Sequence, residues 1–516
     1  MPSIDPKELE ALERRLPLKN LRHQFYHCLK TFRDRRFVRT LGQLCEYAGL
    51  DTANFTPAVK RQLQRRVSEV CTVQQTFVKG SVVVEMYDDT DDNMRWAVKN
   101  GAIAVVTTRQ IDQLPCIVVE FPPQVYALMC RYFRDLREVS VTAVTGSIGK
   151  TTVKRMVNAV YSAQTPTFCN TINYNTLYQV GYFVQHIPAH MPLMVQEVSE
   201  GTPRYTSMMS LVLRPRVAII TKTDISHFEF FESEEAIVGE ICDVCRYMPS
   251  DGVVIVNKDE FKAYDLLGGR RVVTVSMTDN DADFFAQDIK TTPQGLAFKV
   301  CEKGSGQSYA VALHNIFAPH NVLNALYAFA AGVEEKIGYD HIISGLQSFT
   351  MLGMRQNIIT TPDGITVYAD CYNAVPNSIK TAIEGAMLVP VTGKKVVVLG
   401  DIAELGERTS SSHDEIIAMA DAADFDTVVL FGEKLREAAA RHPFRQGLEV
   451  KACDSHQEIA TLLGDLLRKG DLLLLKGSHS AHLEKVIKLL WPATFDQMVH
   501  DENDPYERWN KMVIRS

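Results

Sequence analysis

The 516-residue chain has no apolar run of the length needed to cross a bilayer, about 20 residues. Met1 to Leu16 is charged throughout, so no secretory leader is expected and the chain reads as a cytoplasmic protein. Positive charge is not in excess either. The 55 Lys and Arg stand against 62 Asp and Glu, a net charge of −7, which argues against a general binder of nucleic acid or anionic membranes. A disulfide framework is missing: the eleven cysteines are an odd number scattered from Cys28 to Cys453, as expected of reduced thiols. The one C-x-x-C, at Cys242 and Cys245, has neither a second pair nor nearby histidines, so two thiols on a helix face are expected rather than zinc or a redox pair. Repeats and low-complexity tracts are absent as well. What remains, 46% hydrophobic and 23% charged, suits a globular enzyme with several buried cores and about three domains at ordinary domain size.

Against that background one stretch stands out. Residues Val144 to Thr152 read V-T-G-S-I-G-K-T-T, after the apolar run Val139 to Val144 and before the helix-like Val153 to Tyr161. A strand that turns through glycines into a helix aims backbone N–H groups and the positive helix end at one spot, which suits nucleotide phosphates. Thr145, Gly146, Ser147, Gly149, Lys150, Thr151 and Thr152 form this loop; Lys150 would reach the outer phosphates and the Thr151 hydroxyl would ligate Mg²⁺. Val144 stands where the general pattern has its first glycine, and the competing reading is a plain glycine-rich turn. The chain is expected to bind ATP.

Composition and periodicity divide the chain into four regions. Residues 1–66 are a charge-dense helical extension, with a basic cluster at Arg33, Arg35 and Arg36 that reads as a solvated face. Residues 67–137 alternate short strands with helices as a small α/β domain. Residues 138–347 carry the glycine-rich loop in what reads as a doubly wound sheet, and residues 348–516 repeat the strand–helix alternation at Lys395 to Gly400, Thr427 to Gly432 and Leu472 to Lys476. The class is α/β, and ligands of such sheets sit at the carboxyl ends of the strands.

Further polar residues follow in order: Asn173-Tyr174-Asn175, Glu197, Thr221 to His227 with Glu229, His320-Asn321 with Asn324, Arg355, Asp370 to Pro376, Gly400 to Gly406, and Lys476-Gly477-Ser478. Singly each is weak. Glu197 and His227 end apolar runs and could merely cap strands; with Thr151 they make a Mg²⁺ set of hard ligands beside the phosphates. His320, Asn321 and Asn324 open a helix, where they read as an N-cap with a polar first turn or, alternatively, as an adenine contact.

This series resembles the Mur ligase family along nearly the whole chain after about residue 67, and within it the MurF type, which joins D-alanyl-D-alanine to a UDP-N-acetylmuramoyl tripeptide. The resemblance rests on T-G-S-x-G-K-T-T, D-C-Y-N-A-x-P at Asp370 to Pro376, G-D-x-x-E-L-G at Gly400 to Gly406 with His413 downstream, and K-G-S at Lys476 to Ser478. It implies a three-domain ligase with a nucleotide-sugar domain, a central P-loop domain and a C-terminal Rossmann-like domain that closes over the site. It implies ATP and Mg²⁺, an acyl phosphate and its aminolysis. Thr151 and Glu197 would hold a first Mg²⁺ and His227 a second; Asn321 and Asn324 would face adenine; Arg355 and Asp370 would engage ATP when the domains close. Asn173, Asn175, Tyr372, Asn373, Lys476 and Ser478 are assigned to substrate, a small-molecule carboxylate and an amine or dipeptide.

Three departures accompany the matches. Val73-Gln74-Gln75 stands where the family has D-S-R for the uridine nucleotide; no lysine precedes Gly239-Glu240-Ile241, so a second Mg²⁺ loses an anionic ligand; and Lys222 and His479 replace the family's Asn and Arg. Lys222 is expected to lend its ammonium to the phosphates, with a surface lysine at a strand end as the competing reading. Two other functions stay open: a related amide ligase with a non-UDP carboxylate, favoured by the lost D-S-R, and a nucleotide-binding, non-catalytic partner subunit.

Overall fold

A computed structural model describes residues 39–73, 79–86, 89–170, 174–188, 190–223, 231, 233–351, 353–372, 374–403 and 409–499. These form two compact units. One takes in the described residues up to Phe285 together with Asn324–Gly345, the other Ala286–Leu323 and the described residues from Leu346 onward.

The first unit contains two parallel sheets. The smaller has the order β1 (Val70–Cys71), β2 (Val82–Val84), β3 (Ala104–Thr107) and β4 (Cys116–Val118). Its central strands β2 and β3 are valine-rich and buried on both faces, as expected of parallel strands between helices. The helix Pro122–Asp135 closes it: Tyr126, Met129, Cys130 and Phe133 enter a core shared with Val180, Phe183, Met209 and Val212. Leu41, Leu44 and Val59, from the short helices Leu41–Tyr47 and Pro57–Lys60, are buried in the same core. The basic cluster at Arg33 to Arg36 lies outside the described residues.

The larger sheet runs, from one edge, β6 (Thr167–Cys169), β7 (Leu193–Glu197), β5 (Ser140–Thr145), β8 (Val217–Ile220), β9 (Val253–Asn257) and β10 (Arg271–Ser276), all parallel. From β5 the chain crosses to β6, returns to β7, then passes to β8 on the other side of β5. The order therefore reverses around β5, the switch point where α/β sheets open a crevice at the strands' carboxyl ends. The strand β11 (Phe284–Thr292) starts beside β10 and carries the chain into the second unit.

The second unit holds an antiparallel hairpin, β12 (Gly295–Glu302) with β13 (Ser308–His314), and a sheet of order β14 (Asn357–Thr360), β15 (Thr366–Asp370), β19 (Leu472–Lys476), β16 (Lys395–Gly400), β17 (Thr427–Phe431), β18 (Glu449–Cys453). Only β14 is antiparallel to its neighbour in that sheet. Leu472 to Leu475 and Val396 to Leu399 are buried at its centre. The α/β class expected from the alternation is the one observed.

Cys242 and Cys245 are free and buried, and burial pushes both thiols up to about 12.

Candidate active site

Strand β5 ends at Thr145, and the chain turns through Gly146 to Gly149 into the helix Lys150–Ser162. Gly146 and Gly149 adopt φ of +118° and +90°. At Gly146 a Cβ would sit 2.5 Å from Thr221 Oγ1 and 2.8 Å from the Lys222 carbonyl oxygen, so glycine is required there. The loop is strapped to the end of β8. Ser147 N donates to the Lys222 carbonyl at 2.7 Å, and Thr221 Oγ1 donates to the carbonyls of Thr145 and Ile148 at 3.1 and 2.6 Å. The Tyr327 hydroxyl, on the helix His320–Glu334, fixes the strap by donating to the Thr221 carbonyl at 2.6 Å. Asn324 lies against the loop, its Oδ1 3.5 Å from where a Cβ on Gly149 would be.

Thr151 and Thr152 are half-buried in the first helical turn, whose amides have no carbonyl four residues back to bond. Their N–H groups and the helix dipole make an anion cradle. Lys150 Nζ donates to the Gly146 carbonyl and to both oxygens of Glu200 at 3.0 and 2.9 Å.

Glu197, the last residue of β7, is buried beside the loop's strand. Asn175 Nδ2 donates to its Oε1 at 2.9 Å, and its backbone N–H donates to Asn170 Oδ1 at 2.9 Å. Its Oε2 has no hydrogen-bond partner; the nearest charge is Lys154 Nζ at 3.6 Å. A buried carboxylate oxygen with no donor suits a hard cation. Among the described residues no group of three or more His, Cys, Asp or Glu is placed to hold a metal, and the hard donors these residues offer here are the Glu197 carboxylate and the Thr151 hydroxyl. That donor set fits Mg²⁺ arriving with a phosphate and water rather than an all-protein cage.

The other sequence-assigned residues are placed as follows. Lys222 contributes its backbone to the loop, while its Nζ lies 4.0 Å from Glu260. His227, Asn173 and Asn373 fall outside the described residues, as do Gln74, Gln75 and Glu229. Glu240 accepts from the amides of Arg204 and Thr206 at 2.8 and 2.7 Å, which ties it to the start of the helix Tyr205–Leu213.

In the second unit Asp370, at the end of β15, pairs with Lys476, at the end of β19, at 3.2 Å; both are buried. Gln356 N donates to Asp370 Oδ1 at 3.2 Å, and Gln356 Oε1 takes Asn321 Nδ2 at 3.1 Å, with His320 Nε2 also at 3.1 Å. Burial lowers the His320 pKa, so its imidazole is neutral. The Arg355 guanidinium stacks 4.0 Å over the Tyr372 ring, and His479 meets that ring edge-on at 5.3 Å. Ser478 Oγ accepts from Ala403 N at 2.8 Å, and His413 Nε2 accepts from Ile402 N at 3.1 Å. Lys476, Ser478 and His413 thus brace the loops at the carboxyl ends of β15 and β16.

Glu200, Lys154, Asn170 and Gln356 were not singled out by sequence reading. The one signal available was position: Glu200 is three residues past Glu197, and Lys154 one helical turn past Lys150.

A glycine-shaped loop at a helix N-terminus, its lysine, a buried carboxylate and their place at the sheet's switch point together define a P-loop nucleotide-using enzyme of the doubly wound α/β type. The chain belongs to the Mur ligase family: the Mur ligase middle domain matches residues 144–332 and the "Mur ligase, glutamate ligase domain" residues 354–479, together more than half of the chain. It is accordingly an ATP-dependent ligase that forms peptide bonds. Among curated relatives, the UDP-N-acetylmuramoyl-tripeptide--D-alanyl-D-alanine ligase of Bacillus subtilis is 28% identical over 400 residues, covering 76% of this chain and 85% of the relative. That of Escherichia coli is 26% identical over 417 residues, covering 78% and 88%. A crystal structure of MurF from Acinetobacter baumannii superposes with a TM-score of 0.73 at 23% identity, over 88% of this chain and 98% of that one. The MurF ligase of Thermotoga maritima in complex with ADP gives 0.68 at 22% identity, over 81% and 97%.

Proposed function

We propose that the chain condenses a D-alanyl-D-alanine-type amine with the carboxylate of a UDP-N-acetylmuramoyl peptide, in the cytoplasm, where both nucleotides are available. The ATP chemistry rests on the joint presence of the strapped P-loop and the donor-free Glu197 oxygen, and the substrate pair on the likeness to UDP-N-acetylmuramoyl-tripeptide--D-alanyl-D-alanine ligases. The substrate carboxylate oxygen attacks the γ-phosphorus of ATP and ADP leaves; the amine then attacks the acyl carbon, inorganic phosphate leaves, and the amine's proton is lost. Lys150 and the loop amides hold phosphate oxygens as charge moves among them. Thr151 and Glu197 would hold Mg²⁺, which supplies charge neutralisation between nucleotide oxygens. His227 is assigned to a second Mg²⁺. Lys222 is assigned a supplementary charge, and Asn321, Asn324, Arg355 and Asp370 to the nucleotide. Asn173, Tyr372 and Asn373 are assigned to the substrates; Asn175, Lys476 and Ser478, given to substrate by resemblance, hold Glu197, Asp370 and the Ala403 amide in place.

A second reading, ligation of a carboxylate without a UDP carrier, has its own support. Val73, where the family has the aspartate of D-S-R, packs against the apolar cluster of Cys71, Val83 and Met94. Arg109, following β3, is already engaged by Glu85 and Asp91. The deciding experiment measures phosphate release from Mg–ATP with UDP-N-acetylmuramoyl tripeptide and D-alanyl-D-alanine, against a panel of other carboxylates and amines. Release with the first pair is expected. Release only with a non-nucleotide carboxylate transfers the assignment to the second reading, and no release with any pair removes both.

A further inference from the structure

Lys150 and Lys154 stand four residues apart on one helix, and Glu197 and Glu200 three apart where β7 ends. They pair crosswise. Lys150 Nζ lies 2.9 Å from Glu200 Oε2, whose residue is fully buried, and Lys154 Nζ lies 3.6 Å from Glu197 Oε2. Lys150 and Glu197 therefore each already have a buried partner of opposite charge, and neither partner was part of the recognised motifs.

We propose that Glu200 is the counter-ion that holds Lys150 before nucleotide arrives, and that it makes tight nucleotide binding depend on a divalent cation. The inference rests on the nucleotide-binding reading above. The physical reason is charge balance. A buried carboxylate bonded through both oxygens cancels the charge of the one lysine in the loop. A polyphosphate without metal would compete with that carboxylate for Lys150 and lie against a buried like charge, an arrangement disfavoured where water is excluded. A divalent cation on Glu197 restores the missing positive charge. Glu200 is thus a positioning residue: it sets where Lys150 waits and which form of nucleotide can take it over.

Calorimetric titration with ADP, in EDTA and in excess Mg²⁺, tests this without turnover. Glu200→Gln keeps the shape and removes the charge; its affinity for metal-free ADP should rise about tenfold, equivalent to about 1.4 kcal/mol, while Mg–ADP affinity changes much less. Glu200→Asp, which keeps the charge, should retain the metal dependence of the unmodified protein. Unchanged or weaker metal-free binding by Glu200→Gln, or the same gain in Glu200→Asp, overturns the proposal. If the unmodified protein binds no ADP even with Mg²⁺, the nucleotide reading itself falls. A nucleotide-free cycle guards against a variant that folds poorly. Lys150→Met should lower the melting temperature by leaving Glu200 buried without its lysine, and adding Glu200→Gln should recover much of the loss. Simple additivity of the two changes would also overturn the pairing.

Discussion

Glu69 shows how one side chain can couple the small sheet to pH. It lies just ahead of β1, 5% exposed, with Oε1 lacking any hydrogen-bond partner. Burial raises its pKa from 4.5 to about 8, so the folded protein binds this proton where the unfolded chain has released it. Stability from this group is fully present below pH 4.5 and is lost as pH rises toward about 8. Nearby Cys71 is pushed up to about 12 and does not titrate in that window. Glu69→Gln should therefore remove the slope. Its melting temperature should exceed that of the unmodified protein at pH 8–9, with a gain on the order of 2–4 kcal/mol, and the two curves should converge near pH 5. Parallel curves from pH 5 to 9 would show that Glu69 is charged in the folded state.

Among the elements, the loop after β16 and the helix Glu433–Arg441 depend on one residue. Asp401 accepts from Lys434 N at 3.1 Å and Leu435 N at 2.9 Å, while the N-cap position itself is Gly432, with no side chain to offer. A Cβ there would fall 2.2 Å from Asp401 Cγ, so the glycine makes room for the cap. Asp401→Ala should cost about 1 kcal/mol, the usual worth of a lost N-cap, and Asp401→Asn less; urea titration followed by circular dichroism measures both. Elements of this kind were unevenly legible in the sequence. The central strands at Val253 to Asn257, Lys395 to Gly400 and Leu472 to Lys476 announce themselves as short valine- and leucine-rich runs, because a parallel strand is buried on both faces. The hairpin of β12 and β13 does not, since buried and exposed positions alternate along it and Lys299, Glu302 and Ser308 interrupt the apolar pattern. The P-loop was legible because its parts are consecutive. The Glu200 partner of Lys150 was not, because fifty residues separate the pair and only the β5–β7 register brings them together. Lys154 was hidden for another reason: a lysine on a helix reads as solvated, yet this one is 1% exposed and donates to the Asn170 carbonyl at 3.0 Å.

For the whole molecule, the consequence of two compact units is separate cores. In the first unit Tyr126, Phe183 and Met209 belong to one continuous cluster that joins the small sheet to the P-loop sheet. In the second unit the sheet is packed on its two sides by different clusters, one with Ile379, Ile416 and Leu474, the other with Val367, Ile459 and Leu475. A core of its own lets a unit unfold as its own cooperative step, so scanning calorimetry should resolve more than one transition. The strapped P-loop belongs wholly to the first unit, and a ligand stabilises the state that binds it. Mg–ADP at about a hundred times its dissociation constant should add about 2.7 kcal/mol to the transition of that unit. Lys150→Met should abolish the shift while leaving the second unit's transition where it was, because that residue touches nothing assigned to the second unit's core. Assigning each transition by hydrogen exchange at the buried amides of β5 and β19 completes the measurement. A single transition that moves as a whole with ligand would mean that the two cores unfold together.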